Sequence, residues 1–218
     1  MLIKIHNEEM LYDLADPESL LAVPACKGED LSALPHLQVP GTDIFMIARC
    51  VIERKENAET SFKVTDRLLP FFGLERDALM KKAMENTCRN MVFEFEPLSS
   101  RLGKMLAAGS GIDGLLPGEP ASGLWILTNT DTMFGAAAIL SEEILHALFL
   151  SVGEPYYIIP SSIHELLALG CSCCSSPEDE AMLQQMISSV NLSEVSEQDR
   201  LSDSLFFYDG ETVGAVPV

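Results

Sequence analysis

From Met105 to Asp199 the chain contains no lysine and no arginine. The whole segment 105–218 has one base, Arg200, against sixteen acids, whereas residues 1–104 hold thirteen Lys or Arg against seventeen Asp or Glu. A half so poor in cations cannot supply the contacts on which affinity for nucleic-acid phosphates mostly depends. Nor can it clamp a phosphate or carboxylate substrate between Arg or Lys side chains. Nucleic acid is therefore not expected as a partner. With a net charge of −19, the functional readings that remain are a basic protein partner, a bound cation or mimicry of DNA. The plain reading is an acidic protein kept soluble by self-repulsion.

Other absences narrow the field further. No apolar run approaches the length needed to cross a bilayer, so a membrane is not expected as a partner. The opening MLIKIHNEEMLYDLADPE has neither the apolar region nor the small-residue cleavage site of a secretory signal, which points to a cytoplasmic protein. Cysteines do not form a disulfide framework. Cys26, Cys50 and Cys88 are scattered, and Cys171, Cys173 and Cys174 lie too close together, so all six are expected as thiols. There is no H-E-x-x-H and no Walker loop. Gly109-Ser110-Gly111-x-x-Gly114 has the letters of a dinucleotide fingerprint, but it runs into a Pro-containing loop where that fingerprint would open a helix after a strand. No cofactor is expected.

What is present reads as α+β: a mixed, mainly antiparallel sheet with flanking helices, in two similar lobes joined near 109–123. Residues 7–22 have a helical pattern with Asn7 as cap and Pro17 as a break or the start of a second turn, and 23–42 read as loop or short helical turns. Segment 44–53 is a strand. A polar turn, RKENAET, joins it to the strand SFKVT as a hairpin. Thr65 or Asp66 caps DRLLPFFG, Glu75 opens a helix through Cys88, MVFEFE alternates as a strand, and PLSSRLGKMLAAG is a short helix. Five Gly and two Pro in 109–123 mark a linker or exposed loop between an N-terminal half, 1–108, and an acidic half, 124–218. That second half predicts a strand at 124–129, a strand at GAAAIL, the helix SEEILHALFL, a strand at 156–160, a short helix, a loop, an amphipathic helix at 177–190 and a strand at 205–208. Ser176 caps the 177–190 helix with Pro177 at its first position and three acids in its first turn. The chain ends in a hairpin around Asp209-Gly210.

Several short pieces recur together: Pro35-His36, Thr65, Leu68-Leu69, Gly73, Asn86-Thr87, Leu127-Thr128-Asn129, Gly135 to Leu140, Tyr157 to Glu165, Asn191, Leu201-Ser202-Asp203 and Tyr208-Asp209. Over about residues 35–210 the chain in this way resembles an uncharacterised "domain of unknown function" family of Gram-positive gut anaerobes. The resemblance implies an intracellular bacterial protein and carries no assigned activity.

Chemistry-bearing residues concentrate in two places. Ser161, Ser162, His164 and Glu165 follow a strand directly, and a turn bearing Ser and His could house a nucleophile and a base. No G-x-S-x-G elbow surrounds either serine, and the spacing Ser162-x-x-Glu165 matches a helix capping box, which is the preferred reading. Cys171-x-Cys173-Cys174 resembles a soft metal site, yet no second Cys pair completes four ligands, so no structural metal is expected. His146 sits among apolar helix positions. His36 is near Glu29, Asp30 and Asp43, a set whose spacing fits no EF-hand or facial triad. The first functional expectation is a non-catalytic interaction module acting on another protein. The alternatives are a hydrolase or transferase using the 161–165 turn, and an acidic DNA mimic. Oligomeric state stays open.

Overall fold

The computed structural model describes residues 13–55, 58–107, 123–174 and 176–217. The proposed 7–12 part of the first helix, the tip of the RKENAET turn at 56–57 and nearly all of the 109–123 linker lie outside the described residues.

The fold is α+β and is built on two antiparallel sheets. In the first, β3 (Phe45–Lys55) is central. β1 (Leu20–Pro24) lines one side of it, while β2 (His36–Gln38) and β4 (Ala58–Lys63) follow one another along the other. The second has six strands in the order β10-β9-β7-β8-β6-β5. These are β5 (Phe93–Pro97), β6 (Leu124–Asn129), β7 (Tyr156–Ser162), β8 (Glu165–Gly170), β9 (Phe206–Tyr208) and β10 (Val213–Ala215). β5 pairs with β6 across residues 109–123, so the change of sheet falls between β4 and β5. The main apolar cluster draws on both halves, from Leu20, Met46 and Leu79 to Leu127, Tyr156 and Phe206.

Four segments differ from their sequence reading; one is 23–42, expected as loop or short helical turns, which supplies the end of β1 and the strand β2, paired with β3. The helix expected to reach residue 22 gives way to a 3₁₀ turn, Pro17–Ser19, capped by Asp16, whose Oδ1 accepts from the Glu18 N–H at 2.9 Å. LLAVP then forms β1, buried at all five positions. A strand covered on both faces reads as one unbroken apolar run, which periodicity cannot separate from helix. GAAAIL is a 3₁₀ helix, Gly135–Leu140, instead of a strand. Its alanines favour helical over extended backbone, and their small size lets it sit between β1, α2, β6 and β8. The short helix after 160 is β8, joined to β7 by the two residues Ile163 and His164.

The helices are α1 (Leu69–Phe72), α2 (Arg76–Asn90), α3 (Leu98–Ala107), α4 (Glu142–Val152) and α5 (Pro177–Ser193). α2 covers the open edge of β1. There the Thr87 hydroxyl accepts from the Ala22 N–H at 2.8 Å and donates to the Ala22 carbonyl at 3.1 Å. Asn86 Nδ2 donates to the carbonyls of Pro17, Glu18 and Leu20. α5 begins as expected, with the Ser176 hydroxyl accepting from the Asp179 N–H and Pro177 at the first position. At its far end Arg200, the only base of the second half, donates to the carbonyls of Leu192 and Val195. A cation belongs there, because the negative end of the helix dipole and its orphan carbonyls coincide.

A polar knot ties α5 to the first sheet. Asn191 Nδ2 donates to the Ser202 carbonyl at 2.8 Å and to Asp203 Oδ1 at 2.9 Å. Ser202 and Ser204 donate to Asp43, and Lys27 pairs with Asp203. Burial pushes the Asp203 carboxyl up, but the Lys27 and Asn191 hydrogen bonds and the Lys27 and Arg200 charges outweigh it and hold the group below its ordinary value of 3.8. A carboxyl depressed on folding contributes stability above its unfolded value and loses it as pH falls through the lower folded value. Asp203→Asn is therefore expected to lower the melting temperature at pH 7, with the penalty shrinking steadily below about pH 4. A penalty independent of pH in denaturation scans would show that the charge is not what the knot uses.

Candidate functional site

In the Ile163-His164 turn Ile163 is buried and His164 half-buried, where a hairpin tip is ordinarily exposed. Ile163 is 7% exposed, and its N–H donates to the Asp199 carbonyl at 2.8 Å. The His164 carbonyl accepts from the Thr128 hydroxyl at 2.9 Å. The turn thus enters the seam between the two sheets and closes one wall of a cleft of about 210 Å³. Arg49, Lys63, Cys26 and Glu29 come from the first-sheet side. Phe134, His164 and Asp199 come from the other.

Phe134 is held in an unfavourable backbone conformation. Its φ is 57°, and that of Thr132 is 54°; no other non-glycine residue among those described has positive φ. For a bulky side chain this costs on the order of 1–3 kcal/mol and persists only where the surroundings enforce it. Asn129, 1% exposed, provides the enforcement: Nδ2 donates to the Met133 carbonyl at 2.8 Å and Oδ1 accepts from the Met133 N–H at 3.2 Å. The Phe134 N–H then donates to His164 Nδ1 at 3.1 Å. The ring of Phe134 lies 5.8 Å from that of His164 and 5.3 Å from the Arg49 guanidinium carbon, within cation–π range.

These contacts fix the tautomer of neutral His164. A backbone N–H can only donate, so Nδ1 accepts and Nε2 carries the ring hydrogen. Nε2 faces Asp199 Oδ1 at 3.4 Å. Both ring nitrogens are thereby engaged away from the serines. Ser161 Oγ donates to Glu165 Oε1 at 3.4 Å, and Ser162 Oγ accepts from the His164 backbone N–H at 3.1 Å. The capping-box reading of Ser162 and Glu165 fails because no helix begins there; the two residues are paired across the β7–β8 hairpin.

Cys26, His164 and Asp199 are the residue types of a thiol triad, and they share the cleft. Their connections are not those of one. The Cys26 thiol donates to Glu29, and burial first, then the Glu29 charge, raises it above the usual thiol value. A nucleophilic cysteine needs the reverse shift.

The other sequence candidates are dispersed. Cys171 and Ser172 are bound by the Glu154 carboxylate, which accepts from Ser172 Oγ at 2.6 Å and from the Cys171 thiol at 3.2 Å. Burial raises the Cys171 and Cys174 thiols, with Glu154 adding to the first and Asp179 to the second. His146 Nδ1 lies 3.3 Å from the Gly210 carbonyl, and its ring stacks on Phe149. His36 bonds the Leu34 carbonyl, Asp30 accepts from its own loop at Ser32, and Asp43 belongs to the α5 knot, so these residues do not converge. Among the described residues no group of three or more His, Cys, Asp or Glu is placed to hold a metal ion, and no helix is long and apolar enough to cross a membrane.

Sequence reasoning found His164 but missed Arg49, Lys63, Phe134 and Asp199 as its company. Only β-register and long-range contacts bring them together. The chain belongs to a family described as "Family of unknown function (DUF5688)", whose profile matches residues 27–210. No curated protein and no solved structure matches it.

Proposed function

We propose that this member of a family without assigned activity is a non-catalytic intracellular interaction module, and that α5 is its contact surface for a basic segment of another protein. The carrying observation is an exposed apolar face on α5. Met182, Met186 and Val190, at four-residue spacing, are 64%, 55% and 45% exposed. Beside it, Ile187 packs on Tyr157 and Leu205, and Asn191 is buried in the polar knot. Methionines suit such a surface because the side chain is flexible and polarisable. Scattered exposed apolar residues need no explanation, but several along one helix mark a contact site.

Charge selects the occupant. Glu178, Asp179 and Glu180 stand at one end of the face and Glu194 and Glu197 follow the other, and α5 itself has no base. A second copy of the chain would set acid against acid in either orientation. A segment with apolar residues flanked by Lys or Arg fits instead. The six free cysteines support a reducing compartment.

Anisotropy of a labelled helical Leu/Lys peptide, with its leucines on one face, tests this. A peptide of the same composition in scrambled order is the control. The amphipathic peptide is expected to bind the protein, more weakly as salt rises. M182K/M186K is expected to weaken binding by about tenfold or more. Equal binding of the scrambled peptide, or unchanged binding by the variant, reduces the contact to bulk charge and overturns the reading. A dimer that M182K/M186K converts to monomer overturns it in favour of a second copy.

A further inference from the structure

Arg49 and Lys63 are directly opposite one another in the β3–β4 ladder. Opposite positions share a face of the sheet, and both side chains line the cleft. Glu29 pairs with Lys63. Arg49 donates to Ser61 and lies over the strained Phe134. The facing wall carries the opposite sign: Asp199 accepts from Ser196 Oγ at 2.7 Å and meets His164 Nε2. Between the two walls the lining is apolar, with Val23, Ile47 and Ile163.

We propose that this cleft binds a small zwitterion, an α-amino acid, with its carboxylate toward Arg49 and Lys63, its ammonium toward Asp199, and an apolar side chain over Phe134. Size agrees. A space of about 210 Å³ holds roughly seven waters at their share of liquid volume, which suits one metabolite-sized molecule. Charge excludes the closest alternative class. Phosphate or a dicarboxylate would satisfy the two cations but press its remaining charge on Glu29 and Asp199. The strained Phe134 is the kind of backbone outlier that collects at ligand clamps, and its cost is explained if the ring must stand between the two charged walls.

Isothermal titration of the full chain with the twenty amino acids tests this. Each binder is then compared with its analogue lacking the amine and its analogue lacking the carboxylate, and with inorganic phosphate. At least one apolar amino acid is expected to bind, with Kd on the order of 10–1000 µM, and both single-charge analogues to bind at least about tenfold more weakly. Arg49→Gln should abolish binding. Asp199→Asn should remove the preference for the amino acid over its analogue lacking the amine. Because Arg49 also packs on Phe134, the wild-type protein supplies an independent measurement. Cys26 lines the cleft, so the bound amino acid should slow its labelling by a maleimide. Failure of every amino acid to bind at 10 mM (about a hundred times the expected mid-range Kd), a tighter phosphate complex, or unprotected Cys26 overturns the proposal. None of these outcomes touches the α5 reading, whose residues lie outside the cleft.

Discussion

Gly135→Ala is expected to lower the melting temperature by about 6–12 °C, a loss of about 3 kcal/mol. Most Gly-to-Ala changes in helical backbone do the opposite, because alanine restricts the unfolded chain and favours helix. Here the space decides. A β-carbon on Gly135 would lie 2.4 Å from the His164 carbonyl oxygen, 2.4 Å from Thr128 Oγ1 and 2.8 Å from the Asn129 backbone nitrogen. Two of these three are main-chain atoms, and residue 135 is buried. The Ile163-His164 turn would have to leave the seam, taking with it the Thr128 and Phe134 hydrogen bonds to His164. Gly103→Ala is the matched control. It lies in α3 with nothing within 4 Å of an added β-carbon, so it should stabilise by up to about 1 kcal/mol. Equal effects from the two substitutions, measured by thermal denaturation, would show that the turn is not wedged against Gly135.

That same wedge marks where the sequence stops being legible. β3, β6, β7 and α5 follow from local pattern, since each carries its own apolar run and its own bounding residues. The run LLALG was ambiguous. Its six-residue strand alternates half-buried and buried positions, but both faces are apolar, so the letters carry no alternation. Ser162-x-x-Glu165 has the spacing of a helix cap, although the same two residues can pair across a two-residue turn. GAAAIL was legible in principle, because three consecutive alanines argue against a strand. The cleft was not. Its polar and aromatic members come from positions 26, 29, 49, 63, 134, 164 and 199, and no spacing links them. Arg49 and Lys63 become neighbours only once the β3–β4 register is fixed, and that register carries a shift between Val51 and Glu53.

Thr87→Val is expected to cost about 2–5 kcal/mol, while Thr87→Ser costs about 1 kcal/mol. β1 is the edge strand beside α2, and an edge presents unpaired N–H and carbonyl groups. At Ala22 those groups are fully buried, and the Thr87 hydroxyl satisfies both of them. Valine keeps the shape of threonine and nearly its helix propensity, so the two substitutions separate polarity from packing. Valine leaves a donor and an acceptor in an apolar setting, each worth about 1–3 kcal/mol when unsatisfied. Serine retains the hydroxyl and loses one methyl group. The neighbouring Asn86 cannot take over the Ala22 carbonyl, because its Nδ2 already serves the carbonyls of Pro17, Glu18 and Leu20. At this chain length the valine variant should melt about 5–15 °C below wild type, and the backbone N–H of Ala22 should lose protection in hydrogen exchange. A serine variant as unstable as the valine one would mean that the methyl contact holds α2 to β1, with the hydroxyl incidental. If the hydroxyl is what matters, Asn86 and Thr87 act together as a polar clamp that covers the β1 edge and so fixes the sheet from which Arg49 reaches the cleft.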